Sequence, residues 1–176
     1  MPLLSPNPNS LIYTRISNMD PDQLGTLIMA TTTSMPATAT YTANQARYCP
    51  IVIHRPCTAF RFWFRTSGVQ TGNYDVGIYD ENGTRLVSSG STALPTTQNA
   101  VMVDIADTPL VAGRYYLAHA VSSATSSQAV GLASIVNMRA YGNVTQASAL
   151  PLPATMTFGT SGESSSPIMG IDVRGF

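Results

Sequence analysis

An antiparallel β-sandwich is the fold this chain predicts, and three observations predict it. Apolar and polar residues alternate with a period of two in eight or nine short segments from Ala46 onward. Gly, Pro, Asn, Ser and Thr separate those segments at spacings typical of a sandwich or jelly roll. No segment carries the long 3.6-residue apolar period that the crossover helices of a parallel sheet require. The expected class is therefore all-β and jelly-roll-like, with residues 46–176 as the sandwich domain and residues 1–45 as an N-terminal arm or docking segment.

Within the arm, Asp20 stands at an N-cap position, Pro21 at the first helical position and Gln23 three residues after the cap. This pattern predicts one short helix over about residues 21–29, weakened by Gly25. "TTTSMPATATYTA" follows, and its small β-branched and hydroxylated residues suit an extended segment lying on something else. That segment is either a first strand of the sandwich or an arm that reaches a neighbouring subunit.

The strand candidates then run "RYCPIVIH", "AFRFWFRTSG", "NYDVGIYD", "TRLVSS", "AVMVDIA", "GRYYLAHAVSS", "AVGLASIVNM", "TMTF" and "PIMGIDVRGF". In "NYDVGIYD", Tyr74, Val76 and Ile78 alternate with Asp75 and Gly77, the period of a half-buried strand. Asn82 and Gly83 follow, the two residues that most readily take positive φ, so a hairpin corner is expected there. Asp80, Glu81 and Asn82 read as turn residues, because acidic and amide side chains crowd corners for backbone reasons. In "AFRFWFR", Phe60, Phe62 and Phe64 share one face and belong to the core, leaving Arg61, Trp63 and Arg65 on the other. "GRYYLAHAVSS" alternates Tyr115, Leu117, His119 and Val121 against Arg114, Tyr116, Ala118 and Ala120, and a lone histidine on that parity is expected to be a hydrogen-bonded core residue.

Composition narrows the function. Nine basic and nine acidic residues cancel, and only 10% of the chain is charged, so no field that would gather nucleic acid or anionic lipid is expected. All nine basic residues are arginine, which removes every lysine-based chemistry: phosphate loops, Schiff bases and lysine general bases. No apolar run approaches the ~18 residues that span a bilayer. The proline-rich start, with no positive charge before Arg15, does not resemble a secretory signal, which predicts assembly in a cytoplasm. Cys49 and Cys57 share a parity and, along one straight strand, would lie about 26 Å apart. Two reduced, buried thiols are expected, with neither a disulfide nor a metal site, since His54 and His119 are the only imidazoles to join them.

No G-x-S-x-G elbow, H-E-x-x-H pair or G-x-x-x-x-G-K loop is present. A carboxylate pair such as Asp104 and Asp107, or a base at His119, would be the raw material of a hydrolase. Catalytic residues, cofactors and metals are all expected to be none.

The strip of Arg61, Trp63 and Arg65 has three readings: cover by another strand of the chain, a subunit interface, or a stacking platform for glycan or nucleic acid. Tyr141, in the long loop "YGNVTQASALPLPA", is a second stacking candidate.

Taken in series, "ARYCPIVIHRPCTAFRFWF", "GNYDVGIYDENGTRLVSSGSTA", "VDIADTPLVAGRYYLAHAVSS" and "PIMGIDVRG" resemble a β-sandwich module of tailed-bacteriophage virion structural proteins, found in tail-fibre, spike and head-surface components. The resemblance covers about residues 40–176 and rests on "VGIYD..G.RL..SG" and "L.AGRYYLA"; Cys49, Cys57 and the first 45 residues have no counterpart in it. It implies a non-enzymatic virion surface subunit, a capsid decoration, head fibre or tail accessory, assembled in the host cytoplasm. Its partners would be itself, as a homotrimer, and other virion structural proteins. The alternative is a carbohydrate-binding module for host-surface glycans using Trp63 or Tyr141; neither nucleic acid nor membrane insertion is implied.

Overall fold

Period-two patterning gives thirteen strands and no helix among the residues that the computed structural model describes, which are 25–29, 34–67, 70–96, 100–125, 127–132, 142–147, 149–159 and 165–175. In chain order they are β1 Gly25–Met29, β2 Ser34–Thr40, β3 Gln45–Ile53, β4 Cys57–Arg65, β5 Asn73–Asp80, β6 Arg85–Ser88, β7 Thr92–Ala93, β8 Ala100–Leu110, β9 Gly113–Val121, β10 Ser127–Leu132, β11 Val144–Gln146, β12 Ser165–Pro167 and β13 Met169–Arg174. Every pairing between them is antiparallel.

Three sheets result. A front sheet of four strands runs β1-β13-β4-β8, and a back sheet of six runs β11-β3-β9-β5-β6 with β7 also on β5. A third sheet, β12-β10-β2, closes one flank. There Thr66, just past β4, bridges to Gln128, while Ser165 and Ser166 of β12 reach Arg47 and Cys49 of β3. The front and back sheets face each other across a core of Phe62, Phe64, Met169 and Ile171 on one side and Val76, Ile78, Leu117 and Val121 on the other. Each such side chain contributes roughly 1.5–3 kcal/mol of burial free energy.

Sequence and structure part in six places. The expected helix is strand β1 over Gly25–Met29, paired to β13 from Gly25↔Val173 to Met29↔Met169; residues 21–24 lie outside the described residues. The apolar, β-branched run "GTLIM" completes a sheet there, and sheet hydrogen bonds outweigh the capping pattern. In the same arm, β2 pairs with β10 of the same chain. "TMTF" is not a strand: Thr155 alone bridges to Thr84, and residues 149–157 form a strap across the back sheet.

That strap explains the third difference. The outer face of the back sheet, expected to be polar, is a second core of Ala46, Tyr48, Tyr79, Tyr116, Leu152 and Met156 with their smaller neighbours. Asp75 is buried on this face: Oδ1 accepts hydrogen bonds from the Ser88 hydroxyl at 2.8 Å and the Ser89 hydroxyl at 3.1 Å, and Oδ2 accepts from the Leu152 N–H at 2.9 Å. Tyr79 donates its hydroxyl proton to the Pro153 carbonyl at 2.6 Å, and the Arg85 and Met156 amides exchange bonds with the Ala154 and Gly83 carbonyls. Gly77 is glycine for reasons of space, because a Cβ there would stand 2.6 Å from the Val87 carbonyl oxygen and 3.1 Å from Leu152.

The corner forms as expected between β5 and β6, but only Gly83 takes positive φ, at 82°. The Asp80 carboxylate, accepting from the Asn82 and Thr84 amides, organises the rest, and a bulge beside Tyr79 absorbs the extra residue. The cysteines are free and buried as expected, for a different reason. The chain turns at His54, Arg55 and Pro56, so Cys49 and Cys57 enter the same core from opposite sheets.

The sixth difference is in β4. Between Ala59 and Arg61 one extra residue of β4 stands against β13, so Phe60 leaves the core that Phe62 and Phe64 occupy and is half-buried outside it. A bulge flips parity for everything before it, which is why Cys57 and Ala59, not Phe60, continue the inward row.

Candidate functional site

The front sheet's outer face carries the strip singled out in the sequence. Antiparallel register builds it in rows: Met102, Trp63 and Gly170 across β8, β4 and β13, then Asp104, Arg61 and Asp172 beside them. Arg61 donates through Nε to Asp104 Oδ1 at 2.9 Å, with the side chains 39% and 82% exposed, so this is a solvent-screened pair that orients the guanidinium more than it stabilises the fold. The hydrogen bond and charge of Asp104 also hold the Arg61 pKa above its ordinary value.

The bulge adds a residue that strict alternation hid. Phe60 lies beneath two guanidiniums, Arg61 at 5.6 Å and Arg174 at 5.3 Å from its ring centre, and Arg174 is itself ion-paired with Asp107. Trp63 is half-buried; Gly170, opposite it, puts no side chain in its row. Its indole N–H is buried and has no acceptor among the described residues, so the ring, not the N–H, is what Trp63 offers a partner. Met102 is 58% exposed and Arg65 is exposed. Phe, Trp, Met and Arg beside balancing aspartates make a flat amphipathic face with the chemistry to offer apolar area and cation–π contact.

Comparison with family models, curated proteins and solved structures finds no match.

The other sequence candidates are placed as follows. Tyr141 lies outside the described residues. Asp104 and Asp107, the possible hydrolytic pair, are each engaged by an arginine. His119 is in the core but is not hydrogen-bonded: neither ring nitrogen has a partner among the described residues. Instead the ring packs at 4.5 Å from Phe64 and 5.5 Å edge-on to Tyr41, with Arg47 opposite it in the β3–β9 ladder. Burial first, and the Arg47 charge second, pull its pKa down to about 3, so it is neutral across the physiological range.

Burial likewise pushes the Cys49 thiol up to about 12, against the opposing pull of the Ser166 hydroxyl 2.9 Å away and of Arg47. Cys57 is raised by burial alone. His119 and the two thiols are thus held neutral inside the sandwich. Phe60, Arg174 and Met102 were missed in the sequence because they join the face through a bulge and through register, neither of which periodicity encodes.

Proposed function

We propose that this chain is a non-enzymatic surface subunit of a tailed-bacteriophage particle, a capsid decoration, head fibre or tail accessory that docks on the virion and self-associates. One observation carries the proposal: the amphipathic face of Phe60, Arg61, Trp63 and Arg65 with Met102 on the front sheet, set against a back sheet whose outer face is covered by the chain's own strap. The resemblance of the strand series to virion modules supplies the particle. Mixed charge on that face, three arginines against three aspartates, suits a protein partner better than a polyanion.

The test is co-sedimentation of the purified chain with particles lacking it, run beside a glycan array. Docking that Trp63→Ala weakens about thirtyfold, the loss of one ~2 kcal/mol hot spot, supports the proposal. Specific sugar binding lost in the same variant, with no docking, favours a carbohydrate-binding module in its place.

A further inference from the structure

The two edges of the front sheet are built differently. At β8 the edge is blunted: Asp104, Asp107 and Pro109 stand along it, and three residues of β8 stand against Phe60 alone between Thr108↔Ala59 and Asp104↔Arg61. These are the devices by which a sheet refuses further strands, namely charge, proline and bulge. At β1 none of them is present. "GTLIM" has no charge and no proline, its register against β13 is unbroken over five residues, and among the described residues no strand pairs its far side. The other edges are short or interrupted: β11 and β12 have three residues each, β6 has four and begins with Arg85, and β2 contains Pro36.

We propose that β1 is the seam of a two-fold dimer, in which β1 of a second copy pairs with it antiparallel to join two front sheets into one of eight strands. This rests on the self-association proposed above and names its geometry. A row of unpaired backbone donors and acceptors is complemented by another strand, and an identical antiparallel strand complements it automatically about a dyad normal to the sheet. Growth stops after one step, because both outer edges of the joined sheet are then β8. The trimer expected from particle symmetry is replaced by a dimer on this argument.

The geometry has a functional consequence. A dyad normal to the sheet leaves both outer faces on the same side, so two copies of the Arg61–Trp63–Arg65 strip share one continuous surface. Five strand spacings of about 4.8 Å separate β4 from its symmetry mate, placing the strips roughly 24 Å apart. Docking on a particle then becomes bivalent, and a modest affinity per strip is multiplied by the effective concentration of the second.

The test is a single cysteine walked through the full-length chain as Thr26→Cys, Leu27→Cys, Ile28→Cys and Met29→Cys, oxidised and run on non-reducing gels beside sedimentation velocity. The expected result is a wild-type dimer and a disulfide-linked dimer at one position, or two adjacent ones, next to the dyad; the buried Cys49 and Cys57 give no background. Ile28→Lys, which places like charges at the seam, should raise the dimer dissociation constant by about tenfold while leaving the β circular-dichroism signal unchanged. A wild-type trimer, equal cross-linking at all four positions, or a monomer whose 26–29 amides are protected from hydrogen exchange by the chain's own residues 1–24 each overturns it. Ile28→Lys and Trp63→Ala also separate the two proposals: the first weakens the dimer and leaves each strip able to dock, the second leaves the dimer intact and weakens docking.

Discussion

Replacing His119 with Phe should flatten the acid side of the stability profile. In the fold the imidazole is wedged against Phe64 and Tyr41 with Arg47 across the ladder, and its pKa falls from 6.5 to about 3. The unfolded chain takes up the proton first as pH drops, so the stability this group allows is complete above pH 6.5 and is lost as pH falls from there toward 3. At about 1.4 kcal/mol per pH unit, the native state forfeits roughly 2 kcal/mol by pH 5 and roughly 3 kcal/mol by pH 4 through this residue alone. Phe keeps a ring in the slot and deletes the two nitrogens that lack partners among the described residues. Urea unfolding of wild type and His119→Phe at pH 7.5, 6.5, 5 and 4 reads the difference directly, because every other titrating group is common to both. Equal pH slopes, or an imidazole whose NMR resonances titrate near 6.5 in the folded protein, would mean that burial does not hold His119 neutral.

Three further outcomes follow from the same packing. Asp75→Ala strips the acceptor from two serine hydroxyls and the Leu152 amide, and should cost about 2–4 kcal/mol in urea unfolding, with proteolysis beginning in the strap at 149–157. Gly77→Ala drives a methyl toward the Val87 carbonyl oxygen and Leu152, so a loss of about 1–3 kcal/mol is expected where a glycine-to-alanine change in an open strand stabilises; an unchanged midpoint would mean that β6 and the strap do not close on Gly77. Native Cys49 should resist iodoacetamide at pH 8, since a thiol raised to about 12 is almost wholly protonated there, and should react only after denaturation, which peptide mass mapping resolves.

Much of the architecture was readable because a two-residue period survives any packing. Val76, Ile78, Leu117 and Val121 face the core in the alternation that their spelling gives, and Asn82 and Gly83 mark the corner that joins β5 to β6. What periodicity could not convey was the second layer over the back sheet. Asp75 and Gly77 read as a solvent face because a carboxylate and a missing side chain are what such faces usually hold; here the strap's Leu152 amide and the Ser88 and Ser89 hydroxyls make the carboxylate a buried anchor, and the missing side chain makes room. Proline at 151 and 153 removes two ladder donors, and "LPLPATMTF" crosses the sheet as a strap with the single bridge Thr155↔Thr84, even though its last four residues spell a strand.

The site was legible in part for a related reason. Arg61, Trp63 and Arg65 follow from alternation, whereas Phe60 joins them only because an extra residue shifts the register of β4 against β13. Arg174 and Met102 arrive from β13 and β8, strands far away in sequence that only the pairing brings alongside. The helix expected near Asp20 failed where capping residues, worth about 1 kcal/mol, compete with five ladder pairs along β13.

Electron microscopy of purified particles carrying a gold-labelled copy of the chain decides whether it is a surface subunit. Label is expected at fixed, symmetry-related positions on the particle surface, and is expected to be depleted when Trp63→Ala replaces the wild-type chain. Particles that assemble without ever incorporating the labelled chain would contradict it.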